Sequence, residues 1–167
     1  MNKLEQIKQI TGYNFKDIEL LLESLTHPSV RANNRRSKSI NYERLEFLGD
    51  SVLSLLISEM LFELFPDDNE GHLARRRVAL ICGNVLSSIS AKIGLGELII
   101  MGEAEKRCGE AENIHNLENV MESLIAALYL DGGIDVARAF VNKFWKARAA
   151  SMVSPPKRSE EHTSELQ

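Results

Sequence analysis

An all-α fold is what the sequence predicts, on three observations. Two long stretches, residues 41–65 and 117–130, place apolar residues at helical spacing. No stretch alternates apolar and polar residues over the length of a strand, and no internal repeat is present. Clusters of Gly, Pro, Asn and Asp fall between the periodic stretches, where they end helices. With 167 residues, 44% hydrophobic and 26% charged, the chain suits one domain with a substantial core.

Residues 1–11 and 17–25 read as short helices separated by Gly12 and Asn14. Asp17 is placed to cap the second, which turns Ile18, Leu21, Leu22 and Leu25 toward a core. Thr26-His27-Pro28-Ser29 ends it, because the residue before a proline avoids the helical region. His27 has no second histidine near it and reads as a structural hydrogen-bonding residue, not a metal ligand. Residues 31–40 form a polar, basic loop. The helix over 41–65 is ended by Pro66-Asp67-Asp68-Asn69. Glu70-Gly71 opens the next, over 73–81, and Gly83-Asn84 separates that from a helix over 85–93. Gly94, Gly96 and Gly102 punctuate an irregular stretch around 98–101, and residues 103–116 read as a flexible polar loop. The helix over 117–130 is stopped by Asp131-Gly132-Gly133, and a last helix covers 136–150.

The polar face of the helix over 41–65 is unusual. At about 100° per residue, Glu43, Glu46 and Asp50 fall within roughly 60° of one another, opposite Leu45, Leu48, Val52, Leu55 and Leu56. Crowded like charges destabilise a helix by about 0.2–0.5 kcal/mol per pair. The ordinary reading is a solvated face balanced by Arg44 and other bases, yet two neighbours do not fit it. Gly49 lies mid-helix, which costs about 1 kcal/mol relative to Ala and points to close backbone approach. Phe47 projects from the acidic side, as a partner contact would. In the helix over 117–130, Leu117, Val120, Met121, Leu124, Ile125 and Leu128 form the apolar arc, with Asn119 and Glu122 together at its edge. Two such helices could bring Glu46, Asp50, Asn119 and Glu122 to one point. Oxygen ligands alone suit Mg²⁺ or Mn²⁺ and phosphodiester hydrolysis.

Composition excludes several alternatives. Cys82 and Cys108 stand far apart, without a CxxC or a Cys/His cluster, so neither a disulfide framework nor a zinc site is expected. The N-terminus has no signal-peptide core and no run is long enough to span a bilayer, so the expected location is cytoplasmic, with no membrane partner. Net charge is −4, of which −2 comes from the last ten residues. Basic residues nevertheless cluster at Arg31, Arg35, Arg36 and Lys38, at 75–77, and at Lys106 with Arg107. The first and third of these are candidates for nucleic-acid backbone contacts.

The run Glu43-Arg44-Leu45-Glu46-Phe47-Leu48-Gly49-Asp50-Ser51-Val52 resembles the signature of the ribonuclease III family. Leu25-Thr26-His27-Pro28-Ser29, Glu70-Gly71 with the Arg-rich helix after it, Gly83-Asn84, Glu122 with 124–127, and 129–133 extend the resemblance over about residues 4–150. It implies a helical endonuclease domain over residues 1–152 that works as a homodimer on double-stranded RNA in rRNA and mRNA processing. Mg²⁺ would be its cofactor, with Mn²⁺ as a substitute and no small-molecule cofactor. The products would carry 5′-phosphate and 3′-hydroxyl ends. By the same resemblance Glu46, Asp50, Asn119 and Glu122 are the metal-ligand set. Asp50 and Glu122 are its indispensable members, Glu43 and Glu70 support the catalytic valley, and Phe47 enters the partner subunit.

Asn119 stands where the family usually has aspartate, so this position supplies an amide oxygen without charge. Glu118 points about 100° away from that position and is not expected to replace it. An active enzyme with weakened metal affinity is the expectation. A compact, domain-only ribonuclease and a non-catalytic RNA-binding member are the alternatives. Residues 153–157, with Pro155-Pro156, resemble the start of the family's interdomain linker. Residues 158–167 resemble the translation of a sequencing-library adapter and read as a non-native tail replacing a double-stranded-RNA-binding domain.

Overall fold

The structure is a computed structural model that describes residues 2–30 and 40–154. Helices α1 (Lys3–Thr11) and α2 (Ile18–Leu25) are followed by the long α3 (Glu43–Leu64), then α4 (Glu70–Ile81) and α5 (Gly83–Lys92). After a 3-10 turn, Leu95–Leu98, come the short α6 (Glu103–Arg107), a second such turn, Glu110–Glu112, and the helices α7 (Ile114–Gly132) and α8 (Ile134–Ala150). The described residues contain no strand, only an isolated parallel bridge between Thr26 and Ile100. The expected all-α class is what forms.

Local signals act where the sequence places them. The Asp17 carboxylate accepts from the Leu20 N–H at 3.0 Å and Asn69 caps α4 through the His72 N–H at 2.9 Å. His27 is held by Ser29, which lies 2.8 Å from its Nδ1. Three expectations need correction. Residues 103–116 are not a featureless loop: α6 and a 3-10 turn occupy them, and α7 starts at Ile114 because Asn113 caps it through the His115 N–H at 2.9 Å. Ile18 and Leu22 do not turn into the core with Leu21 and Leu25 but are 39% and 36% exposed. Leu55 does not join the core and is 61% exposed. The buried arc of α3 runs through Val52, Leu53, Leu56, Ile57 and Met60, so its centre lies near Leu53, and Leu55 points roughly 160° away from that residue.

At the centre of the body is α7, buried along nearly its whole length from Asn116 to Leu128 and packed against α2, α3, α5 and α8. A helix apolar on every side belongs inside a larger body. Trp145 of α8 is wholly buried and donates its indole N–H to the Leu80 carbonyl at 2.9 Å. Arg76, one of the clustered bases, is structural: it is 2% exposed, donates to Asp68 at 2.7 Å and to the Met152 carbonyl at 2.6 Å, and stacks on Phe65. Asp131 is structural as well. Its carboxylate accepts from the Lys16 and Asp17 N–H groups at 2.8 and 3.0 Å and from the Tyr13 hydroxyl at 3.0 Å. Among the described residues no helix is long and apolar enough to cross a membrane.

Candidate active site

Gly49 determines where α3 and α7 meet. A Cβ on Gly49 would lie 1.8 Å from the Glu122 carbonyl oxygen, so the two backbones touch there without intervening side chains. Glu46 and Asp50 flank Gly49 along α3, and the contact therefore brings them beside Glu122. This is the close approach that a mid-helix glycine signalled, and its partner is the backbone of another predicted site residue.

The electrostatics follow from that crossing. Glu122 is 9% exposed, and none of the described residues pairs with its carboxylate by hydrogen bond or ion pair. Burial first, then the charges of Asp50, Glu118 and Glu46, push its pKa up to about 8. Glu46 is raised too, by burial and then by Glu43, Glu118 and Asp50. Asn119 partly opposes the upward push that burial gives the Tyr42 hydroxyl, which Glu46 and Glu43 also raise. The same hydroxyl donates to Asn116 at 3.1 Å.

Glu118 was not expected in this cluster. The signal was present, since residues four apart share a helix face and Glu118 precedes Glu122 by four. Glu70 is exposed in the first turn of α4 and does not contribute to the charge felt by Glu46 or Glu122. Phe47 is 81% exposed, beside a groove lined by Leu20, Glu23, Arg44, Leu45, Leu48 and Leu130. Lys106 pairs with Glu103 at 3.2 Å on the surface, and Arg107 is exposed at the end of α6. Arg31, Arg35, Arg36 and Lys38 lie outside the described residues. Cys82 and Cys108 are free and exposed.

Excess negative charge without a protein cation is the chemistry of a divalent-ion site. Among the described residues no group of three or more His, Cys, Asp or Glu side chains is placed to hold a metal ion on its own. Carboxylate oxygens of the kind Glu46, Asp50 and Glu122 offer are the donors of Mg²⁺, which keeps several waters and takes one or two carboxylates together with substrate phosphate, and are not the Cys and His set of a structural zinc site.

A family model described as Ribonuclease-III-like matches residues 17–148. The chain belongs to the ribonuclease III family. The Ribonuclease 3 of Ehrlichia canis is 51% identical over 153 residues, covering 92% of this chain and 67% of that protein. The chain spans about two thirds of the length of such relatives, from 63% to 71%. The crystal structure of the nuclease domain of ribonuclease III from Campylobacter jejuni superposes with a TM-score of 0.79 at 36% identity, covering 89% of this chain and 97% of that one. A second structure of the Campylobacter domain, described for flexibility in a region involved in dimer formation, gives a TM-score of 0.77 at 37% identity over 85% of this chain and 98% of that one. As a member of the ribonuclease III family the chain is an endoribonuclease, and its packed body corresponds to the nuclease domain.

The raised pKa of Glu122 makes stability pH-dependent in the metal-free domain. Its folded value of about 8 lies above the ordinary 4.5, so the folded chain holds this proton more tightly than the unfolded one. The resulting stability is complete below about pH 4.5 and is lost as pH rises through about 8. Thermal unfolding in chelator should therefore show Tm falling from pH 5 toward pH 8, with a shallower slope in Glu122→Gln. Equal slopes in the two proteins would contradict the assignment.

Proposed function

We propose that this domain hydrolyses phosphodiester bonds of double-stranded RNA with Mg²⁺ or Mn²⁺, leaving 5′-phosphate and 3′-hydroxyl ends, in cytoplasmic processing of rRNA and mRNA. The observation that carries this reading is the uncompensated Glu46, Asp50 and Glu122 cluster at the α3–α7 crossing. A pure RNA binder gains nothing from negative charge held against phosphate, which disfavours the non-catalytic alternative.

Glu46, Asp50 and Glu122 are the residues that would hold the ion, with Asn119 offering at most an amide oxygen. The ion supplies water activation and neutralises charge growing on the leaving 3′ oxygen. The carboxylates hold that chemistry at one point between two helices that cannot slide apart, because the Gly49 contact is backbone against backbone. Exposed Asp50 and Glu43 present the solvent side of the cluster to substrate. Glu70 and the bases Lys106, Arg107, Arg31, Arg35, Arg36 and Lys38 are assigned to RNA engagement, because an A-form duplex is read through its phosphates and 2′-hydroxyls.

The test compares a long RNA duplex with its separate strands, each with and without Mg²⁺. The duplex alone should be cut, only with metal, and the new ends should be 5′-phosphorylated. An intact duplex at high Mg²⁺ and high Mn²⁺ would sink the proposal.

The same reading makes the domain a homodimer joined at Phe47. A phenylalanine 81% exposed, next to an apolar groove with a charged rim, fits a two-fold contact in which each ring enters the other's groove. Phe47→Ala should raise the dimer dissociation constant at least about tenfold by analytical ultracentrifugation, the scale of a single aromatic anchor. Monomer stability should be unchanged, because the ring is not in the core. An unaltered dimer would place the interface elsewhere.

A further inference from the structure

We infer that Asn116 is a positioning residue for RNA, fastening the segment that carries Lys106 and Arg107 to the start of α3, an inference that rests on the function proposed above. Asn116 lies in the first turn of α7 and is 8% exposed. Its side chain joins three parts of the fold. The amide oxygen accepts from the Tyr42 hydroxyl at 3.1 Å, and the amide nitrogen donates to the Glu110 carbonyl and to Glu110 Oε2, both at 2.9 Å. The oxygen and both N–H groups are thereby used, as a buried amide requires.

One end of this link is rigid. Tyr42 is 2% exposed, donates its N–H to the Thr26 carbonyl at 2.9 Å and stands immediately before Glu43, the first residue of α3. It is therefore fixed relative to the helix that carries Glu46 and Asp50.

The other end has few other supports. Neither α6 nor the turn Glu110–Glu112 buries a residue, so the apolar packing that stabilises most helices is missing here, and a helix of five residues does not persist alone. The segment is held at its entry, where the Gly102 N–H donates to Ser29 Oγ at 3.1 Å, and near its exit, where the Ala111 carbonyl lies against Gly96. Between these points Asn116 grips Glu110. Lys106 and Arg107 are exposed on α6, and the surface pair of Lys106 with Glu103 is one that a phosphate can displace. Phosphate contacts set the register of a duplex on a protein, and cations held in place beforehand lose less freedom in making them. The Asn116 link thus sets where the RNA backbone lies relative to the carboxylate cluster.

The experiment measures binding of duplex RNA to the full chain in chelator across a salt series. Lys106→Gln with Arg107→Gln should weaken binding and lower the slope of log affinity against log salt by about two, one for each phosphate contact. Asn116→Leu changes no charge, yet should lower the slope by about one or more. Adding it to the doubly neutralised protein should cost little more, because the same contacts are already lost. Glu110→Ala and Glu110→Gln keep equal charge and sit on a turn that buries nothing, so both should fold. The Gln amide oxygen can accept the Asn116 bond, and Glu110→Ala should bind about fivefold more weakly than Glu110→Gln, the scale of one hydrogen bond. A parent slope in Asn116→Leu, or equal affinity of the two Glu110 variants, while the doubly neutralised protein loses affinity, would overturn the role of Asn116 alone. A doubly neutralised protein that binds as the parent does would remove RNA contact from α6 and this inference with it.

Discussion

In Glu122→Gln, cleavage of duplex RNA is expected to fall by more than about a hundredfold while the protein still folds and binds the duplex. Loss of an outer partner alone costs about 10–100-fold at metal sites, so loss of a charged ligand should exceed that range. Glutamine keeps the volume of the side chain and removes only its charge. At this position the charge is unfavourable to the metal-free fold, since burial, Asp50, Glu118 and Glu46 all raise its pKa. The substitution should therefore leave the fold intact, or stabilise it slightly, while removing activity. Single-turnover cleavage and a binding assay in Ca²⁺ or chelator separate the two effects. Residual cleavage within about tenfold of the parent would exclude Glu122 from the ion's ligands.

Gly49→Ala is expected to be the most damaging small substitution in the domain. The added methyl carbon would meet the Glu122 carbonyl oxygen at 1.8 Å and its carbon at 2.4 Å. These atoms belong to a helix backbone and cannot rotate away, so α3 and α7 must separate. Overpacking in cores costs about 1–3 kcal/mol, and this contact belongs at or above the upper end. The same separation draws Glu46 and Asp50 away from Glu122, so activity should fall even in the fraction that folds. Gly71→Ala is the matched comparison. Its Cβ would find its nearest neighbours at 3.5 and 3.6 Å, an ordinary contact, and stability should hold or rise. Urea midpoints that are equal for the two variants would mean that the helices do not meet as closely as the structure has them.

How much of this was legible in the sequence depends on which helix carried it. The α3 half of the site was readable because its signals are local: three acids on one face, a costly glycine and a misplaced Phe47. The α7 half was harder, because its start carries His115 and Asn116 after a capping Asn113 and so looks like the polar loop before it. Leu55 shows a limit of periodicity. An apolar arc read from the first turns of a long helix misplaces its centre when later turns, here Ile57 and Met60, carry the core. Arg76 and Asp131 show another, since each looks like surface chemistry until its distant partners are known. Glu118 was set aside because it points about 100° from Asn119, although it shares a helix face with Glu122, whose carboxyl its charge raises.

The Asp131 tie also bears on how the chain is made. Its partners Lys16 and Asp17 lie 115 and 114 residues earlier, so the first two helices are fastened by a residue near the other end of the domain. A ribosome adds about 5–20 residues per second. On the order of ten seconds therefore passes between emergence of the first helices and synthesis of the residue that fastens them. Until then their apolar faces, Ile7 and Leu21 among them, have no central helix to lie against. The N-terminal helices therefore meet the partners that bury them only late in synthesis.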